Sequence, residues 1–133
     1  MSENFAKWKT ALLSGEYAQT QDALRDSKGF CCLGVACDVF MKETGRGHWK
    51  EYGSGTITFV LDGGEYEGEP PEEVMQYFGF DRAVPLVKYR NHDVAVTYLN
   101  DGGTLPYSAG AGTARKHTFD KLAGKLEKSL TGK

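Results

Sequence analysis

The sequence has no apolar run near the roughly 18 residues that a membrane span needs, so no membrane partner is expected. It has no Cys-x-x-Cys pair, and no fourth cysteine accompanies Cys31, Cys32 and Cys37. A structural zinc or iron–sulfur site takes about four soft ligands at workable spacing. Adjacent cysteines on a helix point about 100° apart, which disfavours a shared ion. His48, His92 and His117 are scattered, and no metal and no other cofactor is expected. Unpaired thiols without a signal peptide predict a reducing cytosol. Net charge is only −2, which argues against a general nucleic-acid binder. Catalytic signatures are missing as well. There is no Gly-x-Ser-x-Gly elbow, no His-Glu-x-x-His, and no Walker A loop ending in Gly-Lys-Ser/Thr. His92 precedes Asp93-Val94 and His117 precedes Thr118-Phe119, so a repeated His-x-Ser/Thr pair is also absent.

What is present describes an ordinary globule. With 133 residues, 40% of them hydrophobic and 26% charged, the chain is expected to form one domain over 1–133 with a real core. The charge is uneven. Residues 1–80 hold 13 acids against 7 bases, and residues 81–133 hold 5 acids against 9 bases. The acidic part peaks at Asp62, Glu65, Glu67, Glu69, Glu72 and Glu73, which reads first as a solvated turn region.

Periodicity supplies the elements. Phe5, Trp8 and Leu12 share one face of a helix that Ser2 caps and Gly15 ends. Residues 16–28 are polar, with an extended piece near 17–21. A helix over 31–43 is apolar nearly all round and so should be central, its cysteines serving as packing groups. Gly45 and Gly47 end it. The β-branched run 56–61 reads as a strand, with a turn at Asp62-Gly63-Gly64 and a return strand from Glu65. Pro71 opens a short helix holding Val74, Tyr77 and Phe78. Residues 84–89 are extended. In 93–99, Val94, Val96 and Tyr98 alternate like a strand, though the family resemblance given below implies a short helix there. A long glycine-bearing loop covers 101–115. Thr118 caps a last helix with the stripe Phe119, Leu122, Ala123, Leu126 and Leu130, which is expected to pack on the cysteine helix. Asp120 and the pair Lys125 and Lys128 match that helix's dipole. The fold class is therefore α+β: a small antiparallel sheet with four or five helices in a single domain.

Several motifs together carry a resemblance. Ser14-Gly15-x-Tyr17-x-Gln19 is followed by Leu24-Arg25, then by Gly29-Phe30-Cys31-Cys32-Leu33-Gly34-Val35-x-Cys37-Asp38. Trp49, the proline-led segment 70–79, Leu99-Asn100-Asp101-Gly102-Gly103 and the final amphipathic helix come after it. The pattern resembles a family of small uncharacterised bacteriophage and prophage proteins with a Tyr/Phe-Cys-Cys-Leu-Gly-Val-x-Cys-Asp motif. In that family the final phenylalanine follows the glycine closely. Here residues 104–118 intervene, which marks the loop as a local addition. The resemblance implies a phage protein working in the host cell cytoplasm, and hence a counter-defence role.

Three functions are open on these grounds. The first is a non-catalytic sponge for a small nucleotide-type immune signal. Such a pocket needs aromatic faces, cations or N–H groups for phosphate, and amides or carboxylates for ribose and base. Trp49, Tyr98 and Tyr107 are the aromatic candidates, Arg25, Arg90 and Arg115 the phosphate candidates, and Asn100 with Asp101 the polar ones. The loop would close over the ligand, and a homo-oligomer would let a pocket form between chains. The second function is a protein–protein inhibitor of a host defence effector, worked by the acidic segment and exposed tyrosines. The third is an enzyme that degrades such a signal, which the missing motifs disfavour.

Overall fold

A computed structural model describes residues 3–105 and 112–131. It has the expected α+β class, with five helices and small antiparallel sheets. The N-terminal helix α1 (Glu3–Leu13) buries Phe5, Trp8 and Leu12. Two short strands, β1 (Arg25–Asp26) and β2 (Gly29–Phe30), pair and lead into α2 (Cys32–Thr44). Every residue from Cys32 to Phe40 is buried, so α2 is the central helix its composition predicts. It ends at Gly45, whose φ of 73° lets its N–H reach the Met41 carbonyl.

A three-stranded meander follows: β3 (His48–Glu51), β4 (Ile57–Leu61) and β5 (Gly64–Tyr66). Asp62 and Gly63 both have positive φ, the hairpin geometry that the Asp-Gly pair anticipates. Helix α3 (Glu72–Tyr77) starts behind Pro71. The ambiguous stretch resolves into both readings in turn. Strand β6 (Leu86–Tyr89) pairs with β7 (His92–Ala95), and α4 (Val96–Asp101) begins at the next residue. Within the long loop, β8 (Gly103–Thr104) pairs with β9 (Thr113–Ala114). Residues 106–111, with Tyr107 among them, lie outside the described residues.

The last helix, α5 (Phe119–Thr131), buries Phe119, Leu122, Ala123 and Leu126 as its stripe predicts. Its main neighbours differ from the expectation. It packs chiefly on α1, α4 and β6, and α2 lies against α1 and α4 in its turn. The α1–α5 contact carries the Lys9–Glu127 ion pair at 2.9 Å. Thr118 does stand before α5, but its hydroxyl donates to the Asp120 carboxylate.

One amide holds the centre together. Asn100 is fully buried at the end of α4. Its Oδ1 accepts from Cys32 N, the first residue of α2, at 3.1 Å and from Gln19 Nε2 at 2.9 Å. Its Nδ2 donates to the Thr20 carbonyl and to Asp101 Oδ1, both at 2.9 Å. Two acceptor sites and two donor hydrogens are thus all used.

Two glycines let the surrounding backbone close up. A Cβ on Gly34 would sit 1.8 Å from the Leu24 carbonyl oxygen, and one on Gly29 would sit 2.2 Å from that of Ala18. These approaches accompany the bonds Cys31 N to Leu24 O at 3.0 Å and Phe30 N to Ala18 O at 2.8 Å. Replacing Asn100 by Ala would strand the Cys32 N–H and the Thr20 carbonyl in the core and would take one bond from the half-buried Gln19 amide. The expected loss is about 3–4 kcal/mol in denaturant unfolding. A loss below about 1 kcal/mol would show that water or a rearranged Gln19 replaces the amide.

Candidate functional site

The cysteines come first, because their position invites chemistry. Cys31 is the N-cap of α2, and its sulfur accepts from Gly34 N at 3.4 Å. A helix N-terminus ordinarily favours a thiolate. Here burial dominates: it pushes the Cys31 thiol up to about 11 despite hydrogen bonds from backbone N–H groups. Burial also drives Cys32 and Cys37 well above the ordinary thiol value. All three therefore act as small packing groups, and no cluster among the described residues has the make-up of a metal site.

The eight candidate ligand residues fall into separate groups. Arg25 and Trp49 belong together. The Arg25 guanidinium lies 4.8 Å from the centre of the Phe30 ring and 5.4 Å from that of Trp49. Tyr17, Phe30, Trp49 and Phe59 form a chain of edge-to-face contacts beside them. Below this lies buried Asp38 on α2, which accepts from Tyr17 Oη at 2.5 Å and Trp49 Nε1 at 3.0 Å and pairs with Lys42 at 3.0 Å. Burial alone would raise the Asp38 carboxyl. The bonds from Tyr17, Lys42 and Trp49 outweigh it and hold the group below its ordinary 3.8.

Asn100 and Asp101 form the second group. Asn100 has no hydrogen-bonding capacity left for a ligand, and Asp101 Oδ1 additionally accepts from Asp22 N at 3.1 Å. The amide of Asn100 is thus committed to the fold. Tyr98 is half-buried against the core cluster. The acidic segment is likewise used internally in part. Arg46 bridges Asp62 and Glu73, and Glu65 takes Tyr52, Thr58 and Lys50.

Arg90 and Arg115 form the third group, around Tyr89. The Arg90 guanidinium is 4.9 Å from the Tyr89 ring centre, and Arg115 N donates to the Tyr89 hydroxyl at 3.0 Å. His117 packs its ring on Tyr89 at 5.7 Å. This group lies beside a groove of about 930 Å³ between the β6–β7 hairpin and α5.

The groove has a clear construction. Lys125 Nζ donates to the Lys88 carbonyl at 2.6 Å and Ser129 Oγ donates to the Leu86 carbonyl at 2.8 Å, which moors α5 along β6. Lys121, Lys125 and Lys128 then line one wall, with Lys88 opposite, and Asp93 is the one acid among the lining residues. Burial first, and the neighbouring Lys128 ammonium second, push Lys125 below its ordinary value. His117 Nδ1 lies 2.7 Å from the Arg115 carbonyl, so that nitrogen carries the proton and Nε2 is left over.

Sequence reasoning missed this groove. The signal was present as Lys121, Lys125 and Lys128 at helical spacing within the basic half of the chain. The β6–β7 hairpin that forms the other wall turns on Arg90 and Asn91, both at positive φ, and this pair lacks the usual glycine.

Comparison with known families adds one result. Residues 1–130 match a family described as Domain of unknown function (DUF8296). The chain belongs to the DUF8296 family. No curated protein and no solved structure matches it. In this DUF8296 member, no helix among the described residues is long and apolar enough to cross a membrane.

Asp38 yields a pH prediction. A carboxylate held below its ordinary value stabilises the fold fully above that value, and the contribution is lost as pH falls below about 4. Asp38→Asn is expected to lower stability by about 1–2 kcal/mol at pH 7, through loss of charge-assisted bonds. The gap between the two proteins should shrink toward pH 3 in denaturant melts. A gap that stays constant with pH would remove the ionised carboxylate from the account.

Proposed function

We propose that this protein binds a small nucleotide-type anion in the groove between α5 and the β6–β7 hairpin and holds it without transforming it. The observation that carries this reading is the lysine-lined groove itself. Its volume falls within the roughly 300–1,000 Å³ of small-molecule sites. Four lysines against one carboxylate favour a ligand with more than one negative charge. The Arg90 guanidinium, over the Tyr89 ring that Lys125 also faces, extends the positive field. Taken with the phage-protein resemblance, the proposed role is sequestration of a nucleotide immune signal in the host cytoplasm. Of the candidate residues, this reading keeps Arg90 near the groove and leaves Asn100, whose hydrogen bonds are committed, to the fold.

The test is calorimetry with a panel of linear nucleotides, cyclic dinucleotides and ADP-ribose derivatives, repeated at low and high salt. At least one is expected to bind, more weakly as salt rises, and to be recovered chemically intact. Lys121→Glu combined with Lys128→Glu should weaken that binding tenfold or more, about 1.4 kcal/mol. The melting temperature should hardly move, because neither ammonium anchors α5. Unchanged affinity in the double variant would place the ligand elsewhere.

A further inference from the structure

We propose that the groove is built for a ligand carrying a flat, hydrogen-bond-donating ring as well as phosphate. That is a nucleotide rather than an inorganic polyphosphate, with Gly124 as the seat of the ring and Asp93 as the reader of its edge. This inference rests on the groove reading above and adds the residues that tell a nucleotide from an inorganic polyphosphate.

Gly124 stands in the middle of α5, where glycine is among the poorest helix formers. Packing does not require it. A Cβ at Gly124 would meet nothing within 4 Å. The residue nevertheless lines the groove, between Lys121 and the pair Lys125 and Lys128. Any side chain there would project into open groove space. Bare backbone leaves a flat patch that a planar ring can approach closely, a recurrent use of glycine. Flanking ammonium groups would then meet the phosphates.

Asp93 supplies the second half of the argument. It lies on β7 directly opposite Lys88 on β6, and the two pair at 2.8 Å. Their side chains are 59% and 72% exposed, so the pair holds little energy and its members can turn to a ligand. An ionised carboxylate only accepts hydrogen bonds. It repels bare phosphate oxygens and welcomes the N–H groups of a base or the hydroxyls of a ribose. One carboxylate among four lysines therefore discriminates by repulsion as well as by attraction.

The experiment uses the full chain and its Gly124→Ala and Asp93→Asn variants, titrated calorimetrically with GDP, ADP and pyrophosphate. The wild type is expected to prefer at least one nucleotide over pyrophosphate by tenfold or more. Gly124→Ala should lose that preference while keeping its pyrophosphate affinity, and should melt at the same or a higher temperature. Asp93→Asn should bind pyrophosphate more tightly than the wild type does. The inference is overturned if pyrophosphate equals both nucleotides on the wild type, if Gly124→Ala keeps the preference, or if Asp93→Asn leaves pyrophosphate affinity unmoved. In those cases the groove still binds anions, and the nucleotide reading is decided by the wider panel. If none of the three probes binds the wild type, this inference falls, while binding of another nucleotide from the wider panel, lost in the double lysine variant, keeps the groove reading.

Discussion

The fold depends on the side-chain amide of Asn100. The first N–H groups of a helix have no intrahelical acceptor, and at Cys32 that orphan is buried. The segment before α2 is irregular, so its Thr20 carbonyl also lacks a regular ladder partner. A side chain with both an acceptor and a donor can satisfy both groups at once, and Asn100 does so from the end of α4. An apolar residue there would leave several buried groups unpaired, each at full desolvation cost. Thr20 Oγ1 is buried beside this network without a hydrogen-bond partner of its own. The network evidently outweighs that cost.

From this junction the cysteine motif takes its meaning. With the start of α2 fixed, Gly34 and Gly29 allow the 18–24 segment to lie on it at backbone contact distance. The helix then carries Asp38 to a point where Tyr17 and Trp49 both donate to it. Tyr17, Gln19, Leu24, Gly29, Phe30, Gly34, Asp38 and Trp49 are thus explained by packing and hydrogen bonding alone. The motif describes how the chain closes, and its thiols fill space within that closure.

This division explains what could be read beforehand. Apolar periodicity located α1, α2 and α5, because burying a stripe is a local, countable constraint. It could not choose the partner of α5, since every buried neighbour offers an apolar face. Residues 93–99 defeated a single assignment because the chain changes period within the window, at the step from Ala95 to Val96. For the site, residue chemistry was legible and commitment was not. Asn100 looks the same in sequence whether its amide faces a ligand or is consumed by Cys32, Gln19, Thr20 and Asp101. Lys125 and Lys128 read as dipole partners until β6 supplied an opposite wall, a non-local fact.

The core junction and the groove are nevertheless linked through Gln19. Its Nε2 donates to Asn100 Oδ1 and, at 2.8 Å, to the carbonyl of His117. The His117 N–H in turn donates to the Leu99 carbonyl at 2.6 Å, and the His117 ring lines the groove. The residue is therefore pinned through both backbone groups to the α4 end that Asn100 organises. Lys125 and Ser129 fix α5 to β6 on the other side. Under the proposed ligand-holding role, walls fixed by such bonds leave less binding energy to be spent on arranging the site. The buried amide thus bears on the groove through the backbone of one of its lining residues, His117.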